Sequence, residues 1–265
     1  MLDISKKNLI KMVTINKIYH DVSKQGLGNQ LFQYCWAREI AERKGYLLES
    51  SPILGFPITY TKLDGIINND NPILTTGDTQ VFDMDSIYNH NGQIIIYGYS
   101  QRYDFYIKNK ENIKKWLYIE DEDIYEKPNE NDLILNIRLG DYVGLGWDLD
   151  MKYYIDIIKK ETYDNVIIVC DEPENPKLSI LKEMGCSIKD NSNIGNMKFL
   201  ADFVFVKNAK KCVIANSTFS WWATFLGNAE TIYFPCIKFP WISNPGKNDI
   251  DLRVYDEKRY KFIYE

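Results

Sequence analysis

Three short segments carry residue types that can do chemistry. In Leu133-Ile134-Leu135-Asn136-Ile137-Arg138-Leu139-Gly140-Asp141-Tyr142 an apolar run ends in an arginine, a glycine and an aspartate. A guanidinium delivered to the end of a buried strand presents a rigid fork of donors that fits phosphate oxygens. Asn216-Ser217-Thr218 follows the apolar run 212–215 and leads into Phe219-Ser220-Trp221-Trp222. Hydroxyls at a helix start, with unpaired backbone N–H groups behind them, suit an anion. Gly26-Leu27-Gly28-Asn29 has two glycines that let backbone approach an anion closely, without the third glycine of a dinucleotide fingerprint. Asp171, just after the apolar run 166–170, is an acceptor for a ribose or a purine edge. Each feature also has a plainer alternative. Arg138 and Asp141 can form a structural ion pair, Gly26 to Gly28 a tight turn, Ser217 a helix cap, Asp171 a turn before Pro173, and Trp221 and Trp222 part of the core.

The elements that must position these residues follow from periodicity and punctuation. β-Branched residues predict a strand at 13–21, and the proline-free stretch 29–44, closed by Gly45, predicts a helix with positions 32, 36, 37, 40 and 41 on its apolar face. A strand at 46–49 comes next. Residues 51–93 read as loops with a few strands, and 94–99 and 104–117 as a strand and a helix. From there the alternation is regular. Strands are expected at 132–138, 165–170, near 187, at 212–215 and at 231–235, and helices at 151–161 (capped by Asp148 or Asp150), 176–184, 197–210 and from 217 to 227. Such alternation implies an α/β protein with a parallel, doubly wound sheet, whose ligands sit at the carboxyl ends of the strands. Asn136, Arg138, Asp171, Asn216, Ser217 and Thr218 should therefore meet on one edge. The charged, proline-containing stretch 120–131 reads as a linker, giving an N-terminal domain 1–128 and a C-terminal domain 129–265 whose final residues pack back on the first.

Composition narrows the classes. A formal charge of −5, from 32 basic and 37 acidic residues, argues against a general nucleic-acid or anionic-membrane surface. No apolar run approaches a membrane span, and the polar, lysine-bearing start gives no secretory signal. The five cysteines contain no C-x-x-C pair, which reads as reduced thiols and a cytoplasmic setting. With only His20 and His90, a histidine-rich metal site is not expected. Asp-x-Asp pairs recur at 83/85, 121/123, 148/150 and 249/251, and in so acidic a chain none stands out as a metal site.

Taken together, Gly26-Leu27-Gly28-Asn29-Gln30-Leu31-Phe32-Gln33-Tyr34, Gly98-Tyr99-Ser100-Gln101, Arg138-Leu139-Gly140-Asp141-Tyr142 and Asn216-Ser217-Thr218-Phe219-Ser220-Trp221-Trp222-Ala223 resemble, in order and spacing, the α-1,2-fucosyltransferases of glycosyltransferase family 11. The likeness runs from about 24 to 235. It implies two Rossmann-like domains of the GT-B type, GDP-fucose as donor, a glycan acceptor such as a galactoside, inversion at the anomeric carbon, and neither metal nor further cofactor. It also implies that Arg138 holds the β-phosphate, that Ser217, Thr218 and Phe219 line the donor, and that Asn29 lies near the reacting sugar and Asp171 near guanine. By their placement Gly26, Gly28, Asn136 and Asn216 are expected to join the donor contacts, and Asp141 to serve as base or to orient Arg138. One position departs from the pattern. The family's central motif usually begins with histidine, and here it begins with Asn136, an amide that donates and accepts hydrogen bonds but has no titratable ring.

Overall fold

The computed structural model describes residues 12–15, 26–58, 73–75, 84–96, 98–236 and 250–264. The chain divides into two compact units, Met1–Tyr118 and Ile119–Glu265. The acidic stretch around 120–131, ahead of the 128/129 boundary expected from sequence, is carried by the second unit. Its Glu122 carboxylate accepts hydrogen bonds from Lys207 at 2.6 Å and Asn208 at 2.7 Å.

In the first unit, β1 (Met12–Ile15), α1 (Leu27–Lys44), β2 (Leu47–Glu49), β3 (Ile73–Thr75), α2 (Met84–Asn89), β4 (Gln93–Ile96) and α3 (Lys110–Trp116) build a four-stranded parallel sheet of order β2-β1-β4-β3. The rest of the strand expected at 13–21 lies outside the described residues. Helix α1 starts at Leu27, so Gly28 sits buried in its first turn and not in a preceding loop. It ends where Gly45 adopts φ +63°, a left-handed cap that lets Tyr46 N–H reach Ala41 O at 2.9 Å. The expected apolar face is buried as drawn, and Gln30, Gln33 and Glu39 are buried with it. The helix expected at 104–117 is instead two 3₁₀ turns, Tyr103–Phe105 and Ile107–Asn109, followed by α3. The fully buried Tyr103 and Tyr106 are three apart, which is the 3₁₀ repeat.

The second unit contains β5 (Leu133–Ile137), α4 (Gly140–Leu145), α5 (Met151–Ile158), β6 (Val166–Cys170), α6 (Ser179–Glu183), β7 (Ser187–Ile188), α7 (Lys198–Lys207), β8 (Lys211–Val213), α8 (Thr218–Leu226), β9 (Thr231–Cys236) and β10 (Tyr260–Tyr264). They form a six-stranded parallel sheet of order β10-β9-β8-β5-β6-β7. Strand β5 is buried along its whole length, as a central strand covered on both faces must be. The chain runs outward from β5 through β6 to β7, then returns to β8 on the other flank, so the switch point of the sheet lies between β5 and β8. The final described residues add β10 to the edge of this sheet, paired with β9 from Tyr260–Ile232 to Tyr264–Cys236. The helix expected at 197–210 is α7, preceded by a 3₁₀ segment, Ser192–Met197.

Caps and contacts fix the helices near the switch point. Asp150, one of the two expected caps, accepts from Lys152 N–H at 2.8 Å and starts α5. Trp221 and Trp222 are core, as their plainer reading had it: Trp221 stacks on Phe225 at 4.6 Å and donates its indole N–H to Leu252 O at 2.7 Å. Gly227 closes α8 against α7 so tightly that a Cβ there would stand 2.1 Å from Lys207 O.

Candidate functional site

The site grows from the carboxyl end of β5. Arg138 leaves the strand as a half-exposed side chain and meets two carboxylates. Its Nη1 lies 3.0 Å from Asp171 Oδ2 and its Nη2 2.6 Å from Asp141 Oδ1. The two acids are not equivalent. Asp171 also accepts Leu139 N–H at 2.9 Å through Oδ1, and its carboxylate rests on Gly140, where a Cβ would come within 2.5 Å of Oδ2. Glycine at 140 is thus the space that Asp171 occupies. Among the described residues Asp141 makes no second bond, and its side chain is 60% exposed, against 27% for Asp171. Burial alone would lower the Arg138 pKa, but Asp171 and Asp141 raise it, so the guanidinium stays charged. It also faces the Tyr142 ring, with 5.4 Å from Cζ to the ring centroid.

Across the switch point, Ser217 occupies the N-cap of α8 with φ −122° and ψ 131°, but its hydroxyl makes no capping hydrogen bond. The plainer reading of Ser217 as the helix cap thus holds by position, without a side-chain capping bond. The first-turn N–H groups of α8 keep their partial positive charge for something other than that side chain. Beside them, Asn216 is buried and donates Nδ2–H to Trp147 O at 2.8 Å, whereas its Oδ1 is buried with no hydrogen-bond partner among the described residues. An acceptor left in that state costs about 1–3 kcal/mol. Tyr142 donates its hydroxyl to Asn216 O at 3.3 Å and meets Trp147 edge-on at 5.7 Å, which ties α4 to the start of α8. Thr218 is half-buried, and Phe219 packs edge-on against Phe203 of α7 at 5.3 Å.

Asn136 sits differently from the other candidates. It is 6% exposed, donates Nδ2–H to Val169 O at 3.3 Å and accepts the Ser220 hydroxyl at 2.6 Å. Tyr154 reaches Asn136 O at 3.4 Å, and Tyr153 reaches Ile214 O and Tyr233 O at 3.2 and 2.9 Å, so α5 props three strand ends from below. Burial drives both phenols well above their ordinary pKa, which keeps them as donors.

The second unit thus gathers Asn136, Arg138, Asp141, Asp171, Asn216, Ser217, Thr218 and Phe219 around one edge. Gly26, Gly28 and Asn29 belong to the first unit. There Gly26 is the N-cap of α1, and Asn29, in its first turn, accepts from Gln101 Nε2 at 3.1 Å. Trp147 and Tyr154 have no site role in the sequence reading, and Tyr142 and Ser220 stand only as members of the resembling motifs; Ser220 also lies one helical turn beyond Ser217 on the same face. Of the Asp-x-Asp pairs, Asp123 pairs with Lys127, Asp148 with Lys177, Asp150 caps α5 and Asp251 holds Arg253, while 83 and 249 lie outside the described residues. Among the described residues no group of three or more His, Cys, Asp or Glu side chains is placed to hold a metal ion.

Residues 93–250, more than half of the chain, match the profile of Glycosyl transferase family 11. The chain belongs to that family. A stretch of 131 residues is 30% identical to an alpha-1,2-colitosyltransferase of Escherichia coli, covering 46% of this chain and 44% of that protein, so the match spans less than half of the relative. Two structures of NodZ alpha-1,6-fucosyltransferase, one soaked with GDP-fucose and one co-crystallized with GDP, superpose on this family 11 chain with TM-scores of 0.52 and 0.53. Each is 13% identical and covers 84% of this chain and 94% of the other. At that identity the likeness is one of fold, and it assigns the two parallel-sheet units of the family 11 chain to the GT-B type. Among the described residues no helix is long and apolar enough to cross a membrane.

Proposed function

We propose that this family 11 chain is an inverting fucosyltransferase that moves L-fucose from GDP-fucose to a sugar hydroxyl, O2 of a galactoside. The observation that carries the reading is the guanidinium at the carboxyl end of β5, held by Asp171, with the α8 N-terminus, which carries no side-chain cap, following the neighbouring strand β8. Charge accumulates on the leaving diphosphate as the anomeric bond breaks, and donors already aimed at it stabilise that charge without reorganising. Arg138 supplies a full positive charge, and the first-turn N–H groups of α8, with Ser217 and Thr218 beside them, supply partial ones. A metal is not needed for that balance, and the reaction is expected to survive EDTA.

The two carboxylates take different parts. Asp171 stays on Arg138 and sets its plane; with Leu139 N–H and Arg138 both on it, this role replaces the guanine contact expected from family likeness. Asp141 is an exposed partner of the kind worth about 0–1 kcal/mol, so a diphosphate displaces it from Nη2 at little expense. Once released, it is free to take the acceptor proton, which keeps both of its expected roles in one residue. Asn29 is assigned to the reacting sugar by its family motif alone.

The test is product mass after incubation of the protein with GDP-fucose and a panel of galactosides, with and without EDTA. A fucosylated galactoside in both arms is expected. Loss in EDTA would contradict the metal-free reading. GDP binding without product from any donor and acceptor would make the chain a non-catalytic GDP or glycan binder. A second donor deserves its own arm because the E. coli relative is a colitosyltransferase: transfer from GDP-linked colitose, or from another GDP-sugar, in preference to GDP-fucose would reassign the substrate while leaving the phosphate site as described.

A further inference from the structure

We infer that Asn136 and Ser220 form a buried positioning pair that sets the first turn of α8 for the donor diphosphate, and that neither side chain touches the donor. The inference rests on the donor-site reading above and reassigns one of its residues. Asn136 is the place where this chain departs from the family's usual histidine. If that residue met the donor, the change would bear on donor identity. The hydrogen bonds point elsewhere.

An asparagine amide can donate two hydrogen bonds and accept two, and Asn136, only 6% exposed, makes one of each within the protein. Nδ2–H goes to Val169 O, the strand residue directly opposite it in β6, and Oδ1 receives the Ser220 hydroxyl. Ser220 is fully buried, and its own carbonyl accepts the Thr224 hydroxyl at 3.0 Å, one turn further along α8. The Asn136 carbonyl takes the Tyr154 hydroxyl. One residue thus links β5, β6, α5 and α8 at the level where Arg138 emerges two residues later. Asn136 and Ser220 lie 84 positions apart in sequence. Their bond fixes the distance between the strand that delivers the guanidinium and the helix turn that offers the N–H groups. The remainder of α8 is held independently by the Trp221 indole on Leu252 O and by Gly227 against Lys207 O. Loss of the pair therefore loosens the first turn and leaves the helix in place.

A double-mutant cycle on the full chain tests this, with GDP affinity read by calorimetry and folding by thermal melts. Ser220→Ala removes one oxygen and keeps good helix propensity, so it stays interpretable if Asn136→Ala proves unstable. Each single variant is expected to weaken GDP by about tenfold, and the double variant by no more than either alone, because both remove the same bond. Asn136→His, with one ring nitrogen to donate and one to accept, is expected to recover binding to within about threefold, and the ratio of kcat/KM for GDP-fucose over GDP-mannose is expected to stay constant across the series. Additive losses, a normal Ser220→Ala beside a weakened Asn136→Ala, or a shift in donor ratio would each overturn the inference and return Asn136 to the donor surface. Wild-type protein that binds no GDP would overturn the donor-site reading, and the pair's role in it, before any variant is compared.

Discussion

The carboxyl edge of the sheet in the second unit ends in a guanidinium between two carboxylates, while the residues described at the α1 N-terminus and after β4 in the first unit carry glycine, amides and hydroxyls. In the first unit, the residues around the α1 N-terminus and after β4 are Gly26, Gly28, Asn29, Gln30, Gly98, Ser100 and Gln101, and the first charge beyond them, Arg102, is paired with Asp104 at 3.1 Å. Gln33 Oε1 and Ser100 Oγ are buried there with no hydrogen-bond partner among the described residues. Both sheets place their edge at a switch point, between β5 and β8 in one and between β1 and β4 in the other. The same fold rule has been filled with different chemistry. A charged edge suits a diphosphate, and a neutral edge rich in amides suits the hydroxyls of a sugar.

The largest break in this comparison is Arg138→Ala. It removes the only full positive charge described at the second edge, and transfer is expected to fall roughly 10²–10³-fold, the loss typical of one preorganised electrostatic donor. GDP affinity should fall with it, and near-normal turnover in a folded variant would sink the assignment. Asp171→Asn is the next largest. The guanidinium loses its fixed partner, and a fall in kcat/KM of about tenfold follows from a charged hydrogen bond worth about 1.5 kcal/mol. Gly140→Ala should imitate it, because the new methyl would stand 2.5 Å from Asp171 Oδ2. The double variant should be little worse than either single one. Asp141→Asn should instead leave GDP affinity unchanged or slightly higher, since it removes a carboxylate that competes with phosphate. Equal losses of GDP affinity from Asp171→Asn and Asp141→Asn would erase the distinction between a fixed and an exchangeable acid, whereas kcat of Asp141→Asn is expected to fall because the residue proposed to take the acceptor proton is gone.

The neutral edge is sharpened by Asn29→Ala and Gln101→Ala. Gln101 holds Asn29 Oδ1 and leaves its Nδ2 to donate. Each variant is expected to lower kcat by about fivefold to tenfold, the worth of one ordinary hydrogen bond at about 1 kcal/mol, while GDP affinity stays at the wild-type value. A fall in GDP affinity equal to that of Arg138→Ala would show that the two edges do not divide the work by charge.

How much of this was legible in the sequence follows from how far apart the partners are. Asp150 at the start of α5, and Pro176 behind the Asn175 that caps the turn before α6, act within three residues, and local pattern finds them. Alternating strands and helices gave both parallel sheets, and Arg138 could be placed at an edge from its own strand. Strand β10 could not be found that way, because its pairing with β9 spans a long interval and short apolar runs do not announce a partner. The same holds for the site. Arg138 and Asp141 are three apart and were read as a pair, whereas the more consequential bond from Arg138 to Asp171 crosses between strands. Helix α4 is six residues long and ends at Gly146 with φ +68°, too short for periodicity to register. Asn136 looked like a ligand contact because it lies two residues from Arg138 on the same face. Its burial and its bond to Ser220 are properties of the folded sheet alone.

The smallest expected effect concerns where each edge stores its strain. At the charged edge the burden is electrostatic, one cation shared between two anions. At the neutral edge it lies in the backbone. Ser100 holds φ at +51°, a left-handed conformation that penalises any residue with a Cβ by about 1–2 kcal/mol, and its hydroxyl is buried without a partner among the described residues. Gly98, two residues earlier, has φ +75° at no such penalty. Ser100→Gly removes both the steric conflict and the orphaned hydroxyl, against the extra entropy glycine loses on folding, about 0.5–1 kcal/mol. The balance favours the variant, and its melting temperature is expected to rise by about 2–4 °C. The turn that carries Gln101 becomes freer at the same time, because glycine at 100 opens more backbone conformations, although Tyr106 and Arg102 N–H still donate to the residue-100 carbonyl at 2.8 and 2.9 Å. A small fall in kcat with unchanged GDP affinity should accompany the gain in stability. Thermal melts beside steady-state kinetics on one preparation check both. A lower melting temperature would mean that the serine has a partner supporting it, and the neutral edge would then carry no strain for a sugar to relieve.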